Sequence, residues 1–283
     1  MLGLFLLGAL ALSPQTDTTF AVRPGGTVAA ETWGGRVQVR SWDQARMRVR
    51  AQHAADVEIE IEVEGSTVRI DASGRYGHAA AVTLEITVPR QFGAQIEGVQ
   101  VEADVADLAG DVSIETVQGA VRIRNVTGRI AASSTQGLVT VTGSHGTLTV
   151  ETVNDGIEIM NHEGEITAEG VNGAVTLTGI RSGSVLAETM NGDIRFDGEI
   201  RDGGRYRFET HNGDLIVAVP AGTNASVSID TYNGEVEADF PIQLRSSRDR
   251  QSVTFDIGRG GARLELSSFG GAIRLRTSPA GRR

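Results

Sequence analysis

Seven carboxylates recur at one place in a repeated phrase. Glu97, Glu115, Glu151, Glu169, Glu188, Glu209 and Asp230 each open a copy, and Ser133 opens the copy between 115 and 151. The fullest copies are ETMNGDIRF, ETHNGDLIV and DTYNGEVEA, beginning at Glu188, Glu209 and Asp230. Two carboxylates facing each other across a sugar linkage would hydrolyse it. A row of them would instead gather cations or a basic ligand. A catalytic site breaks a repeat locally, with unlike residues converging. These acids follow the repeat, so no catalytic residue is assigned. Glu151, Glu169, Glu188, Glu209 and Asp230 form the longest unbroken run. Three readings stay open for it: a solvated face, a ligand- or cation-binding row, or catalysis. Two residues on, an outward position reads Val117, Thr135, Val153, Val171, Met190, His211, Tyr232. Its side chains grow toward the C-terminal end. Val171, Met190, His211 and Tyr232 are a candidate contact stripe, or a surface that a loop covers.

Other chemistry is sparse. The chain has no cysteine and no lysine. That excludes disulfides, thiolate metal sites, Cys nucleophiles, Schiff-base chemistry and a P-loop lysine. His53, His78, His145, His162 and His211 show no metal-ligand spacing and read as surface or turn residues. No cofactor and no metal are expected. The net charge of −10 argues against nucleic acid and anionic membrane as partners. From Arg245 onward, however, nine arginines face only Asp249, Asp256 and Glu265, a basic tail on an acidic body.

The positioning elements follow from period. Copies start at 97, 115, 133, 151, 169, 188, 209 and 230, so the spacing is 18 residues, rising to 21. Glu31 and Ser267 begin outlying copies, ETWGGRVQV and SSFGGAIRL. Apolar residues fall at places 7, 9, 16 and 18 of each unit, for example Val121, Ile123, Ile130 and Ala132. Apolar aligns with apolar, Gly with Gly, and Asn with Asn or Gln, which parallel stacking rewards with side-chain ladders. The expectation is an all-β, parallel β-solenoid of roughly eight turns, with 18–21 residues per turn. A propeller or a meander of hairpins is the alternative. The Asn-Gly corners place Gly192 and Gly213 at positive φ. Arg195 and Arg207 are expected to relieve the acid row.

Four regions are expected. Residues 1–11 read as a signal peptide, from the apolar run Leu2 to Leu12 and the small-x-small site Ala9-Leu10-Ala11, cleaved after Ala11; a buried strand is the alternative. Residues 12–96 form a strand-rich cap with the first repeat-like turn, 97–244 the solenoid array, and 245–283 capping strands with the basic tail. GGARLELSSFGGAIRLR is expected to close the far end. No segment is long and apolar enough to span a bilayer as a helix.

FAVRPGGTVAAETWGGRVQVRSWD, LEITVPRQFGAQIEGVQVEADV and the internal ETxNGxI signature together resemble the bacterial DUF4097 family of adhesin-labelled, β-strand repeat proteins. Ser41 stands where that family's opening segment carries a glycine. The resemblance implies an exported β-solenoid and carries over no catalytic motif. The expected function is a non-enzymatic envelope or cell-surface protein, periplasmic or extracellular, acting as adhesin or scaffold on a glycan or protein partner. The alternatives are a carbohydrate-active enzyme on a β-helix and an envelope-stress accessory protein with no small ligand.

Overall fold

A computed structural model of the chain describes residues 15–74, 81–240, 243–248 and 252–278, with the backbone alone for 243–248. The Leu2–Leu12 run and His78 lie outside the described residues. Each repeat folds as a longer strand, a corner at the Asn/Gln-Gly step, and a short strand. Thr127–Gln136 is followed by Val139–Thr142, and His145–Thr152 by Ile157–Met160. Short apolar alternation with β-branched residues suits a strand buried on one side. The inward set is the one the period marks: Val121, Ile123, Ile130 and Ala132 are all buried.

Successive turns stack in parallel with the repeat as their register. Ile130 lies on Leu148, and Leu148 on Ile166; Ser133 lies on Glu151, and Glu151 on Glu169. The fold is therefore the expected β-solenoid, and the meander is excluded. The Asn/Gln column forms the ladder that such stacking rewards. Gln100 donates to Gln118 (3.1 Å) and Gln118 to Gln136 (2.8 Å); Asn212 donates to Asn191 and Asn191 to Asn172, both at 2.9 Å.

At both ends the stack departs from chain order. Thr27–Trp42 lies between the turn made by Thr67–Gly74 and Ala81–Pro89 on one side and Gly93–Ala106 on the other. Ala262–Ser268 lies between the Arg205–Thr210 part of Ile194–Thr210 and Ala225–Thr231. Ile273–Thr277 lies between Leu215–Val219 and Val236–Ala238. This corrects the expectation that GGARLELSSFGGAIRLR closes the array, since that segment is an internal turn. Antiparallel strands do the capping. Val57–Glu64 covers Thr67–Gly74, Arg46–Gln52 covers Ala81–Pro89, and Ser252–Ile257 covers Ala225–Thr231. Glu58, Glu60, Glu62 and Glu64 charge the first of these edges, which discourages edge-to-edge pairing.

Gly192 and Gly213 do not have positive φ. They are glycines for another reason. A Cβ on Gly192 would fall on the carbonyl oxygen of Gly173, and one on Gly213 on that of Gly192. The stacked corners at Gly173, Gly192 and Gly213 approach too closely for a side chain on either of the last two. His162 also departs from expectation: it is buried, in the corner column that holds Val126, Ser144 and Ile180 on neighbouring turns. Its Nε2 is 3.2 Å from the Gly146 carbonyl, its Nδ1 has no partner, and burial lowers its pKa.

Candidate functional site

In the ET-x segment the first and third residues point outward and the second inward, because side chains alternate along a strand. Parallel register then turns each position into a row along the solenoid. The first row reads Asp71, Glu31, Glu97, Glu115, Ser133, Glu151, Glu169, Glu188, Glu209, Ser267, Asp230. Ten steps of about 4.8 Å make it about 48 Å long. These eleven positions exceed the roughly eight turns expected, because terminal segments join the stack. Glu209 and Asp230 are not neighbours, since Ser267 stands between them. The row thus has two uncharged gaps, Ser133 and Ser267.

The third-position row faces it. Trp33, Val117, Val153, Val171, Met190, Phe269 and Tyr232 are all exposed large apolar side chains. At the C-terminal end they become an aromatic stack. The Phe269 ring lies 4.7 Å from His211 and 4.9 Å from Tyr232, with planes inclined by 6° and 2°. The sequence reading named His211 and Tyr232 but missed Phe269, whose copy sits last in the chain and next to last in the stack. It missed Trp33 at the other end, whose copy comes first in the chain and second in the stack.

Between the rows runs a shallow groove. One part, about 610 Å³, is lined by Glu169, Glu188, Glu209, Asp230, Met190, His211, Tyr232 and Phe269. All but Glu151 and Val171 of the longest acid run and the candidate contact stripe thus line this part. Glu151 and Val171 line the next part, which shares Glu169 with it. Ser133 joins that part in turn to the end lined by Trp33, Glu31 and Asp71.

The floor is the second position, a row the sequence reading passed over. Thr32, Thr116, Ser134, Thr152, Thr189, Thr210, Ser268 and Thr231 are buried. Thr210 donates to the Gly192 carbonyl (2.8 Å), Thr189 to that of Gly173 (3.1 Å) and Ser268 to that of Gly213 (3.0 Å). These three hydroxyls each fasten their own turn to the corner of the turn beneath, whereas Thr32 and Thr152 donate to a carbonyl of their own turn and Thr231 accepts from the Gly234 N–H of its own. The Thr that follows Glu31, Glu115, Glu151, Glu188, Glu209 and Asp230 was the available signal.

Elsewhere on the surface, several acids are paired, although among the described residues Glu58, Glu60, Glu62, Glu158 and Glu165 are not. Glu102 bridges Arg36 (2.6 Å) and Arg122, Glu265 bridges Arg207 (2.6 Å) and Arg263 (2.5 Å), and Glu237 bridges Arg274 (3.3 Å) and Arg276 (3.0 Å). Among the described residues, none of the nine groove carboxylates holds an ion pair or a side-chain hydrogen bond. Arg195 and Arg207 do not relieve the row by contact as expected: Arg195 is bonded to Asp193 (2.7 Å) and Arg207 to Glu265. Half-buried Glu188 has its pKa raised, first by desolvation, then by Glu209 and Glu169, with Arg207 opposing at a distance.

This arrangement suits contact rather than bond cleavage. Glycosidases hold two carboxylates on either side of the scissile bond. Here the acids form one bank, and the opposite bank carries aliphatic and aromatic groups. No three acid or histidine side chains among the described residues converge as a metal site. No helix among them is long and apolar enough to cross a membrane.

The model of the Toastrack DUF4097 family matches residues 30–276. No curated protein matches the chain in sequence. Solved structures that the chain matches include a candidate adhesin from Parabacteroides merdae, 6% identical with TM-score 0.45, covering 92% of this chain and 95% of that one. Another, from Parabacteroides distasonis, is 12% identical with TM-score 0.41, covering 93% and 97%. A third, from Bacteroides fragilis, is 14% identical with TM-score 0.39, also covering 93% and 97%. At such identities and scores the likeness says nothing about ligand or activity.

Proposed function

The chain belongs to the Toastrack DUF4097 family, and from that premise we propose that it is an exported, non-enzymatic envelope or surface protein that binds an extended partner along its groove. One observation carries the reading: nine carboxylates with no partner among the described residues face an exposed apolar row across about 48 Å, while other faces carry acids bridged by arginines, such as Glu102, Glu237 and Glu265. Rows in stacked register repel like charges and expose apolar area, and both costs fall when a partner covers them. The rigid scaffold presents both banks without reorganisation, which favours recognition over catalysis.

The test is retention of the purified protein on isolated bacterial envelope material, with fractionation of cells to locate the chain. The parent should be retained and found outside the cytoplasm. Glu188→Arg with Met190→Arg, checked for an unchanged fold by circular dichroism, should not be retained. Equal retention of the two proteins would show that the groove is not the contact, and a cytoplasmic chain would end the export reading.

A further inference from the structure

The groove's two banks differ in chemistry, and that difference narrows what fits between them. On each strand the acid and the apolar residue are two apart, roughly 7 Å. One bank therefore offers a line of negative charge and the other a line of aliphatic and aromatic surface, both running straight along the stack. A neutral ligand would cover the carboxylates without neutralising them, which costs desolvation with no return. A purely cationic chain would neutralise the acids but leave Trp33, Val117, Val153, Val171 and Met190 wet. An extended polypeptide sends alternate side chains to opposite sides. With basic residues at every other position and apolar ones between, it meets both banks at once.

We propose that the groove is a docking surface for an extended polypeptide segment in which Arg or Lys alternates with apolar residues. This rests on the reading of the groove as the binding face and specifies its ligand. The occupant is argued from charge complementarity: among the described residues the acid bank has no cation of its own, while Arg36, Arg122, Arg207, Arg263, Arg274 and Arg276 are all engaged on other faces. The aromatic stack His211–Phe269–Tyr232 and the lone Trp33 mark the two ends of the apolar bank, so a long segment gains more than a short one. A ten-residue strand, about 33 Å, reaches along some seven turns.

The experiment measures fluorescence anisotropy of labelled decapeptides with the full chain. The probes are alternating Arg-Val, Arg-Ser and Glu-Val, beside a labelled neutral β-glucan oligomer. Arg-Val should bind, more weakly as NaCl rises. Each of Glu169→Gln, Glu188→Gln and Glu209→Gln should weaken it about two- to fivefold at low salt. Met190→Ser and Tyr232→Ser should weaken Arg-Val but not Arg-Ser, and Glu158→Gln, on another face, should change nothing. Arg-Ser or Glu-Val binding as well as Arg-Val overturns the proposal, and so does the absence of peptide binding. If only the glucan binds, and Tyr232→Ser abolishes it, the peptide proposal fails while the groove stands as a binding face. If whatever binds ignores every groove substitution, both fail together.

Discussion

Replacing Glu188 by Gln should stabilise the protein. Glu188 has Glu169 on one side and Glu209 on the other, in register. At about 4.8 Å in bulk water each neighbour contributes about 0.9 kcal/mol of repulsion, or about 1.7 kcal/mol for two. Screening with a Debye length of about 8 Å roughly halves this at physiological salt. Splayed side chains reduce it further, so the expected gain is about 0.5–1 kcal/mol there, larger in 20 mM salt and near zero at 1 M. Ser133→Glu is the mirror experiment. It closes the gap between Glu115 and Glu151 and should lose a similar amount with the same salt dependence. The pH dependence has a definite sign. A carboxylate whose folded pKa is raised contributes stability that is fully present below the unfolded value and is lost as pH rises through the folded value. The parent should therefore lose this increment as pH rises through and just above the ordinary carboxylate range, and Glu188→Gln should not. Urea midpoints at two salt concentrations are the assay. A neutral or destabilising Glu188→Gln at low salt, or a gain that persists undiminished at 1 M NaCl, would refute the reasoning.

Gly213→Ala should cost about 2–3 kcal/mol or more, because the added methyl meets the Gly192 backbone and only a shift of the stack relieves it; an unchanged denaturation midpoint would contradict the close approach. Ile157→Asp buries an unpartnered carboxyl in mid-stack and should lower the melting temperature of the whole array in one transition, with melting within a degree or two of the parent as the opposing result. His162→Ile, which copies Ile180 one turn on, should raise stability by roughly 1 kcal/mol by removing an unpaired buried nitrogen. It should also remove an acid-side loss. With the folded pKa of His162 lowered, its contribution is present above the unfolded value and lost as pH falls through the folded one. Melting curves of parent and variant across mildly acidic pH would show the slopes to be equal if this is wrong.

The sequence carried the register because identical residues at fixed spacing are what parallel stacking selects. From that register the acid row, most of the apolar row and the Asn/Gln ladder could be read directly. Three things could not. The terminal turns pair with strands remote in the chain, so no period announces that Ser267 separates Glu209 from Asp230 or that Glu31 stands beside Asp71. The glycine of Asn-Gly was read as a demand for positive φ, when the same dipeptide also serves where backbones touch; only the stacked geometry distinguishes the two at Gly192. His162 occupies an inward corner position whose equivalents are Val126, Ser144 and Ile180, a column too mixed in chemistry to betray burial.

The two out-of-order turns also set a timetable for folding. A simple solenoid can grow turn by turn as its chain emerges, each turn templating the next. Here Ala225–Thr231 has no place against Arg205–Thr210 until Ala262–Ser268 arrives to separate them. Some forty residues must be synthesised while both facing edges stay open. At the other end, Thr27–Trp42 must wait for Thr67–Gly74 and Ala81–Pro89 on one edge and Gly93–Ala106 on the other. Closing such separated pairs requires loop-closure entropy before contacts reward it, so completion is slow even where the middle is quick. Each finished end is held by a strand inserted between two others, so neither end can peel away one turn at a time.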